Sequence, residues 1–225
     1  MENPHVYTGY VFKDALAKAG IVFKGKVEAR KTPQDASVLG VHDSRPLSHI
    51  VEEMVKHSDN LYADCLFKKV GEHRFGAPGT WQKGSQAVRA FLRDTLKMDT
   101  DKMVILDGSG LSRYNLISAR EFVEFLGWMH KQFDCSSEFM ASLAIGGVDG
   151  TLMGRLTEEN QKGRVRAKTG FMTGISSLTG YLTTRNGEVL AFAILQNGFT
   201  GEAEKYKREV EDAICSFLMN YNEKK

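Results

Sequence analysis

The chain has 225 residues, 42% of them apolar and 26% charged. This suits one large domain, or one domain with a piece of another, and excludes a disordered, collagen-like or coiled-coil chain. Thirty basic residues against twenty-eight acidic ones leave a formal charge of +2, without the basic excess that marks nucleic-acid binders.

The longest apolar run, Val189 to Leu195, has seven residues, whereas a membrane-spanning helix needs about 20. The opening Met1-Glu2-Asn3-Pro4-His5 has no basic or apolar signal region, and Cys65, Cys135 and Cys215 are too few for a disulfide framework. Taken alone, these features read as cytoplasmic, soluble and compact.

In chain order, Thr8 to Ala19 reads as a short helix stopped by Gly20, and Ile21 to Ala29 as a strand. The polar, turn-rich stretch from Lys31 to Ser44 reads as a linker. Leu47, Ile50, Val51, Met54 and Val55 then recur at helical spacing, and the pattern resumes at Leu61, Tyr62, Cys65 and Leu66. Between the two runs stand Ser58, Asp59 and Asn60, which favour caps and turns over helix interiors. The expectation is a helical corner displaying three polar side chains. Cys65 is expected to be a buried, inert thiol on the apolar face.

Gly84 to Lys97 is predicted as a third helix. Ser118 and Glu121 form a capping box opening a fourth, which carries Phe122, Phe125, Leu126 and Met129. The loop from Asp107 to Arg113 lies between them, and Trp81 and Trp128 read as core or loop anchors. After Gly163 the pattern changes to period two. Val165 to Thr169, Leu178 to Thr184 and Val189 to Leu195 read as strands, the last two joined through the hairpin signal Asn186-Gly187. A final helix, Glu202 to Asn220, presents Val210, Ile214, Phe217 and Leu218. The sum is an α+β fold: a helical region, an antiparallel sheet and a C-terminal covering helix.

Two triplets carry chemistry: Ser58-Asp59-Asn60 on the corner and Lys168-Thr169-Gly170 on a strand. Each alone is weak, since Ser58 and Asn60 are ordinary caps and Lys168 is an ordinary solvated charge. S-D-N and K-T-G in this order are two of the three motifs of penicillin-binding proteins and class A β-lactamases, the third being S-x-x-K. Longer blocks extend the match: Ser58 to Asp64, Ala77 to Trp81 with Gly84-Ser85, Asp107 to Arg113 with Asn115, Gly147 to Leu152, Ala167 to Gly170 and Leu178 to Tyr181. On these residues the chain resembles the penicillin-binding protein 4-type D-alanyl-D-alanine carboxypeptidases/endopeptidases, the class C low-molecular-mass penicillin-binding proteins.

The resemblance implies a partial β-lactamase/transpeptidase-like fold and acyl transfer through a serine acyl-enzyme. It implies catalytic roles for Ser58 as proton relay, Asn60 as holder of the acyl-side amide, and Lys168 as positive field. Thr169, Gly170, Phe171 and Thr173 are the implied substrate-binding residues. Thr169 would donate to the terminal carboxylate, Gly170 would leave room for the substrate backbone, and the Phe171 amide would serve the oxyanion. Phe171 stands where related proteins often carry Ser or Thr, and Thr173 would compensate. The implied partners are peptidoglycan stem peptides ending in D-Ala-D-Ala and, for the full-length protein, β-lactam antibiotics. No nucleic acid, membrane span, cofactor or metal is implied. The six histidines show no ligand spacing.

The chain departs from the family by lacking the nucleophile. No serine is followed by lysine three residues later: Ser44 precedes Leu47, Ser58 precedes Leu61, Ser109 precedes Ser112 and Ser142 precedes Ile145. Gly108-Ser109-Gly110 is no nucleophile elbow either, because Leu106 occupies the first glycine position. The expected organisation is therefore residues 1–42 as the tail of an inserted accessory domain plus linker. Residues 43–225 would be the C-terminal portion of the peptidase domain without its S-x-x-K segment. Exposed apolar surface and an open sheet edge should follow. On this reading the parent protein is periplasmic or extracytoplasmic. The alternative is a truncated homologue acting as a non-catalytic cell-wall-binding or interaction module.

Overall fold

The computed structural model describes residues 3–201 and 203–221, which fall into two compact units, 1–44 and 45–225. In the first unit, helix α1 spans Pro4–Lys18. It starts earlier than the apolar pattern suggests because the Asn3 side chain accepts from the Val6 amide and Pro4 occupies the first turn. The strand expected over 21–29 is not formed. Alternation supplies one strand, but among the described residues no second strand pairs with it, so the segment stays irregular.

The second unit opens with α2 (Leu47–His57), α3 (Asn60–Phe75) and α4 (Trp81–Asp94). Ser58 closes α2 in the left-handed region (φ 58°, ψ 46°), and the Asp59 side chain caps α3 by accepting from the Tyr62 amide at 2.9 Å. The expected corner is formed. The third predicted helix begins at Trp81 rather than Gly84, because Thr80 is its N-cap and accepts from Lys83. Helix α5 (Ala119–His130) carries the predicted capping box, with both reciprocal hydrogen bonds present. A short α6 (Ser136–Ser142), with no strong start signal in its sequence, follows.

The described sheet is four-stranded and antiparallel, in the order β1 (Ala144–Ile145), β2 (Val165–Met172), β3 (Ile175–Thr183) and β4 (Val189–Asn197). Its period-two pattern sorts side chains between two layers. Leu178 and Leu182 of β3 join Val165, Ala167, Cys215 and Met219 in one core. Tyr181, on the opposite face, packs with Leu126 and Leu143 and donates its hydroxyl to the Leu126 carbonyl at 2.7 Å.

The predicted C-terminal helix is divided into α7 (Ala203–Tyr206), a π turn (Lys207–Asp212) and α8 (Ala213–Met219). Glu202, its predicted first residue, lies outside the described residues. Cys215 is buried against the sheet, and burial pushes its thiol up to about 12.

Cys65 corrects the sequence reading: it is exposed. The buried positions of α3 are Phe67 and Gly71. A β-carbon at Gly71 would lie 2.5 Å from the Gly84 nitrogen, and one at Gly84 would lie 2.5 Å from the Phe67 ring. Two glycines let α3 and α4 cross closely, and that crossing chooses the buried face. Trp81 packs at a tilt against Phe67 (6.3 Å between centroids), and Trp128 meets Phe91 edge-on at 5.6 Å. Both therefore act as packing anchors.

Candidate active site

The register of β2 against β3 pairs Lys168 with Thr179, Thr169 with Leu178 and Gly170 with Ser177. Successive residues point to opposite faces, so Lys168 reaches towards the α2–α3 corner and Thr169 away from it. The Lys168 Nζ donates to Ser58 Oγ at 2.7 Å and to its neighbour's carbonyl, Thr169 O, at 2.7 Å. The two triplets, 110 positions apart in the chain, meet here.

Burial lowers the Lys168 ammonium from the usual 10.5 to about 8. The folded value lies below the unfolded one, so this group's stabilising contribution is complete above 10.5 and lost as pH falls through about 8. Near neutral pH the buried charge therefore opposes folding. Lys168→Met is expected to raise stability there by on the order of 1–2 kcal/mol, with the loss of two charge-assisted hydrogen bonds offsetting part of the gain. The advantage should shrink between pH 8 and 10.5, and thermal melts across that range will measure it.

Ser58, Asn60, Lys168, Thr169, Gly170 and Phe171 all line one cleft of about 860 Å³. A smaller apolar hollow of about 320 Å³ adjoins it, reaching Val55, Phe125, Leu126 and Leu143. β1 pairs only with Arg166 and Ala167. Among the described residues, the outer edge of β2 from Lys168 onward therefore carries no strand partner along the cleft. A β-carbon at Gly170 would fall 2.3 Å from Ser177 Oγ, so glycine there makes room for the facing serine as well. Thr173 lies apart. It sits exposed in the turn after β2, where its carbonyl accepts from Arg113 at 3.0 Å.

Phe171 is half-exposed, and the Lys207 ammonium from the π turn lies 4.5 Å from its ring centre. This attractive contact places a second cation in the cleft wall. The sequence pattern missed Lys207, because a lysine on an amphipathic helix gives no signal of its own. It also missed Arg155, which lines the same cleft.

The loop from Asp107 to Arg113 forms the rim. Asp107 accepts from the amides of Gly110 (2.8 Å) and Ser112 (2.6 Å) and from Asn115 Nδ2 (2.9 Å). Asp64 of α3 accepts from the amides of Gly108 (3.1 Å) and Ser109 (3.0 Å). Ser109 thus lies in a loop fixed by carboxylates. Asp149, in the turn after β1, accepts from the Ile145 amide at 2.8 Å and pairs with Lys56 of α2. Burial pushes its carboxyl up, but the hydrogen bonds from Lys56 and Ile145 outweigh that and the net direction is down.

The family model described as D-Ala-D-Ala carboxypeptidase 3 (S13) matches residues 1–221. The chain belongs to this family. It is 39% identical over 229 residues to a D-alanyl-D-alanine carboxypeptidase of Actinomadura sp. (strain R39), covering 98% of this chain and 41% of the relative. It superposes on penicillin binding protein 4 from Haemophilus influenzae, solved with a β-lactam, with a TM-score of 0.86 at 34% identity. That superposition covers 98% of this chain and 52% of the other.

An extended-spectrum β-lactamase shares the fold at a TM-score of 0.56 and 21% identity, over 77% of this chain and 64% of its own. The architecture is thus a partial transpeptidase-like fold. The chain spans about half the length of the S13 relatives it matches.

Proposed function

We propose that this S13-family chain supplies the recognition cleft and proton relay of a serine D-alanyl-D-alanine peptidase acting on peptidoglycan stem peptides. The observation that carries this reading is the 2.7 Å contact between Lys168 Nζ and Ser58 Oγ at the head of the cleft. A lysine whose ammonium is lowered to about 8 exchanges its proton readily near neutral pH. Through Ser58 Oγ it would deliver that proton to the leaving amine of the scissile bond. Asn60 would hold the acyl-side amide, Thr169 the terminal carboxylate, and the Phe171 amide the developing oxyanion. Gly170 leaves the β2 edge open for the substrate backbone. Such an enzyme works outside the cytoplasm, and β-lactams would occupy the same cleft.

A direct test is binding. A peptide ending in D-Ala-D-Ala should perturb the amide resonances of Asn60, Lys168, Thr169 and Phe171, and its L-Ala-L-Ala isomer should not. Lys168→Met should weaken binding about tenfold, the value of one charge-assisted hydrogen bond. Equal binding of the two isomers would sink the reading.

One observation favours a second reading. No serine of the chain has lysine three residues later, which suits a non-catalytic module that binds the cell wall. The DNA upstream of Met1 decides between them. An in-frame S-x-x-K supports the peptidase, and a stop codon followed by a strong start at Met1 supports the module.

A further inference from the structure

Three polar contacts close a ring around the head of the cleft. Lys168 Nζ donates to Ser58 Oγ at 2.7 Å. Thr169 Oγ1, on the next residue, donates to Thr151 Oγ1 at 2.9 Å. Thr151 is two residues after Asp149, which pairs with Lys56. Lys56 is two residues before Ser58. Each covalent segment of the ring is therefore three residues or fewer, and each polar contact joins different elements: β2 to the corner, β2 to the 3₁₀ turn Gly150–Leu152, and that turn to α2.

Nothing in the proposed chemistry uses Lys56 or Asp149. Both are nonetheless partly withdrawn from water, with side-chain exposures of 15% and 32%. An ion pair this sheltered recovers its desolvation cost only when held in good geometry. Here both carboxylate oxygens of Asp149 are engaged. Asp149 Oδ1 accepts from the Ile145 amide at 2.8 Å while Oδ2 takes Lys56. Gly150 lies so close that a β-carbon there would be 2.7 Å from the Lys56 carbonyl and 2.9 Å from the Ala144 side chain. Backbone packing and ion pair thus fix the same joint.

Ser58 needs such a joint. It is a non-glycine residue at φ 58°, a disfavoured conformation that persists where its surroundings over-determine it. α2 holds Ser58 through its amide, which donates to the Met54 carbonyl, and that bond alone does not set the distance from Ser58 to β2.

We infer that Lys56 and Asp149 form a positioning clamp, which locks the corner bearing Ser58 to the turn bearing Thr151 and so sets Lys168 and Thr169 against their partners. The inference rests on the peptidase reading for the roles of Ser58 and Lys168. The charged group facing Asp149 besides Lys56 is Arg166 of β2, which remains in every variant below.

The test uses the whole chain and three variants: Lys56→Met, Asp149→Asn and Lys56→Arg. Two quantities are read by nuclear magnetic resonance. One is the exchange rate of the Asp59 amide, which donates to Met54 O at 3.0 Å beside the corner. The other is the midpoint of the Lys168 ammonium titration. Lys56→Met and Asp149→Asn should speed Asp59 exchange about tenfold or more, the equivalent of about 1.4 kcal/mol of lost local stability. They should also raise the Lys168 midpoint by about one pH unit as water reaches the loosened contact. Lys56→Arg, which keeps the charge, should hold both near wild type.

Cooperative melting identifies the variants that still fold. Folded Lys56→Met and Asp149→Asn proteins with an unchanged Lys168 midpoint overturn the clamp, whether or not exchange rises. So does Lys56→Arg behaving like Lys56→Met. A wild-type midpoint near the ordinary lysine value overturns the peptidase reading, and with it the role assigned to the clamp. The unmodified protein alone therefore separates the two failures.

Discussion

Residues 1–225 are expected to form no covalent adduct with a fluorescent penicillin under conditions that label an intact S13 enzyme stoichiometrically. Acylation needs a nucleophile with an adjacent base, and the S-x-x-K pair is missing from the sequence. The cleft serines do not replace it, and one of them, Ser177, is a β3 residue facing Gly170. Ser58 accepts a hydrogen bond from the Lys168 ammonium, which withdraws electron density from its oxygen. The Ser109 hydroxyl accepts from the Leu111 amide at 3.4 Å, in a loop tied down by Asp64 and Asp107.

In serine hydrolases, removing the nucleophile costs on the order of a million-fold in rate. The expected result is an unlabelled band and an unchanged intact mass. Stoichiometric labelling would overturn the assignment of roles. The modified peptide would then show which cleft serine is the nucleophile: Ser58, with Lys168 as its base, Ser109 or Ser177.

Where local chemistry determines structure, the sequence is a good guide. Ser58, Asp59 and Asn60 break a helical pattern because their side chains compete for backbone hydrogen bonds, and the corner stands where they break it. Alternation reveals β2, β3 and β4, with Gly187 in the left-handed region at the turn between the last two. The meeting of Ser58 and Lys168 follows from motif order through the family resemblance. No spacing rule within the chain joins residues so far apart.

Other features depend on contacts that no local pattern encodes. β1 has two residues and exists because Ala144 and Ile145 find Ala167 and Arg166. The face that α3 buries is set by the Gly71–Gly84 approach, which left Cys65 outside. The clamp joins Lys56 to Asp149 across 93 positions, and neither residue is distinctive in sequence. Leu61, 73% exposed, and Phe133, 96% exposed, are apolar side chains left outside the core.

The π turn is the element least legible in the sequence. A continuous α-helix over 203–219 would satisfy the apolar periodicity, yet the structure widens it at Lys207–Asp212. The widened turn carries Glu211, fully buried, and Asp212 towards Arg155. Arg155 Nη2 donates to Glu211 at 2.9 Å, to Asp212 at 2.6 Å and to the Lys207 carbonyl at 3.2 Å. Glu211 also accepts from Ser176 Oγ at 2.6 Å and Gln196 Nε2 at 3.1 Å. One arginine thus pairs with two carboxylates and holds the turn that presents Lys207 to Phe171.

Arg155→Met keeps most of the side-chain volume but leaves both carboxylates without a counter-charge. Breaking a buried pair from one side costs about 3–5 kcal/mol, which for a unit of this size lowers the melting temperature by roughly 6–20 °C. Adding Glu211→Gln removes the fully buried charge and should recover part of the loss, because Ser176 and Gln196 can still hydrogen-bond the amide oxygen. Urea unfolding of the two variants measures both effects. A single variant as stable as wild type would show that the network contributes nothing net. A double variant no better than the single would show that charge is not what Arg155 balances. If the carboxylates do spread apart, the π turn moves with them. Peptide binding in the cleft should then weaken even under conditions where Arg155→Met remains folded, because Lys207 and Phe171 form part of its wall.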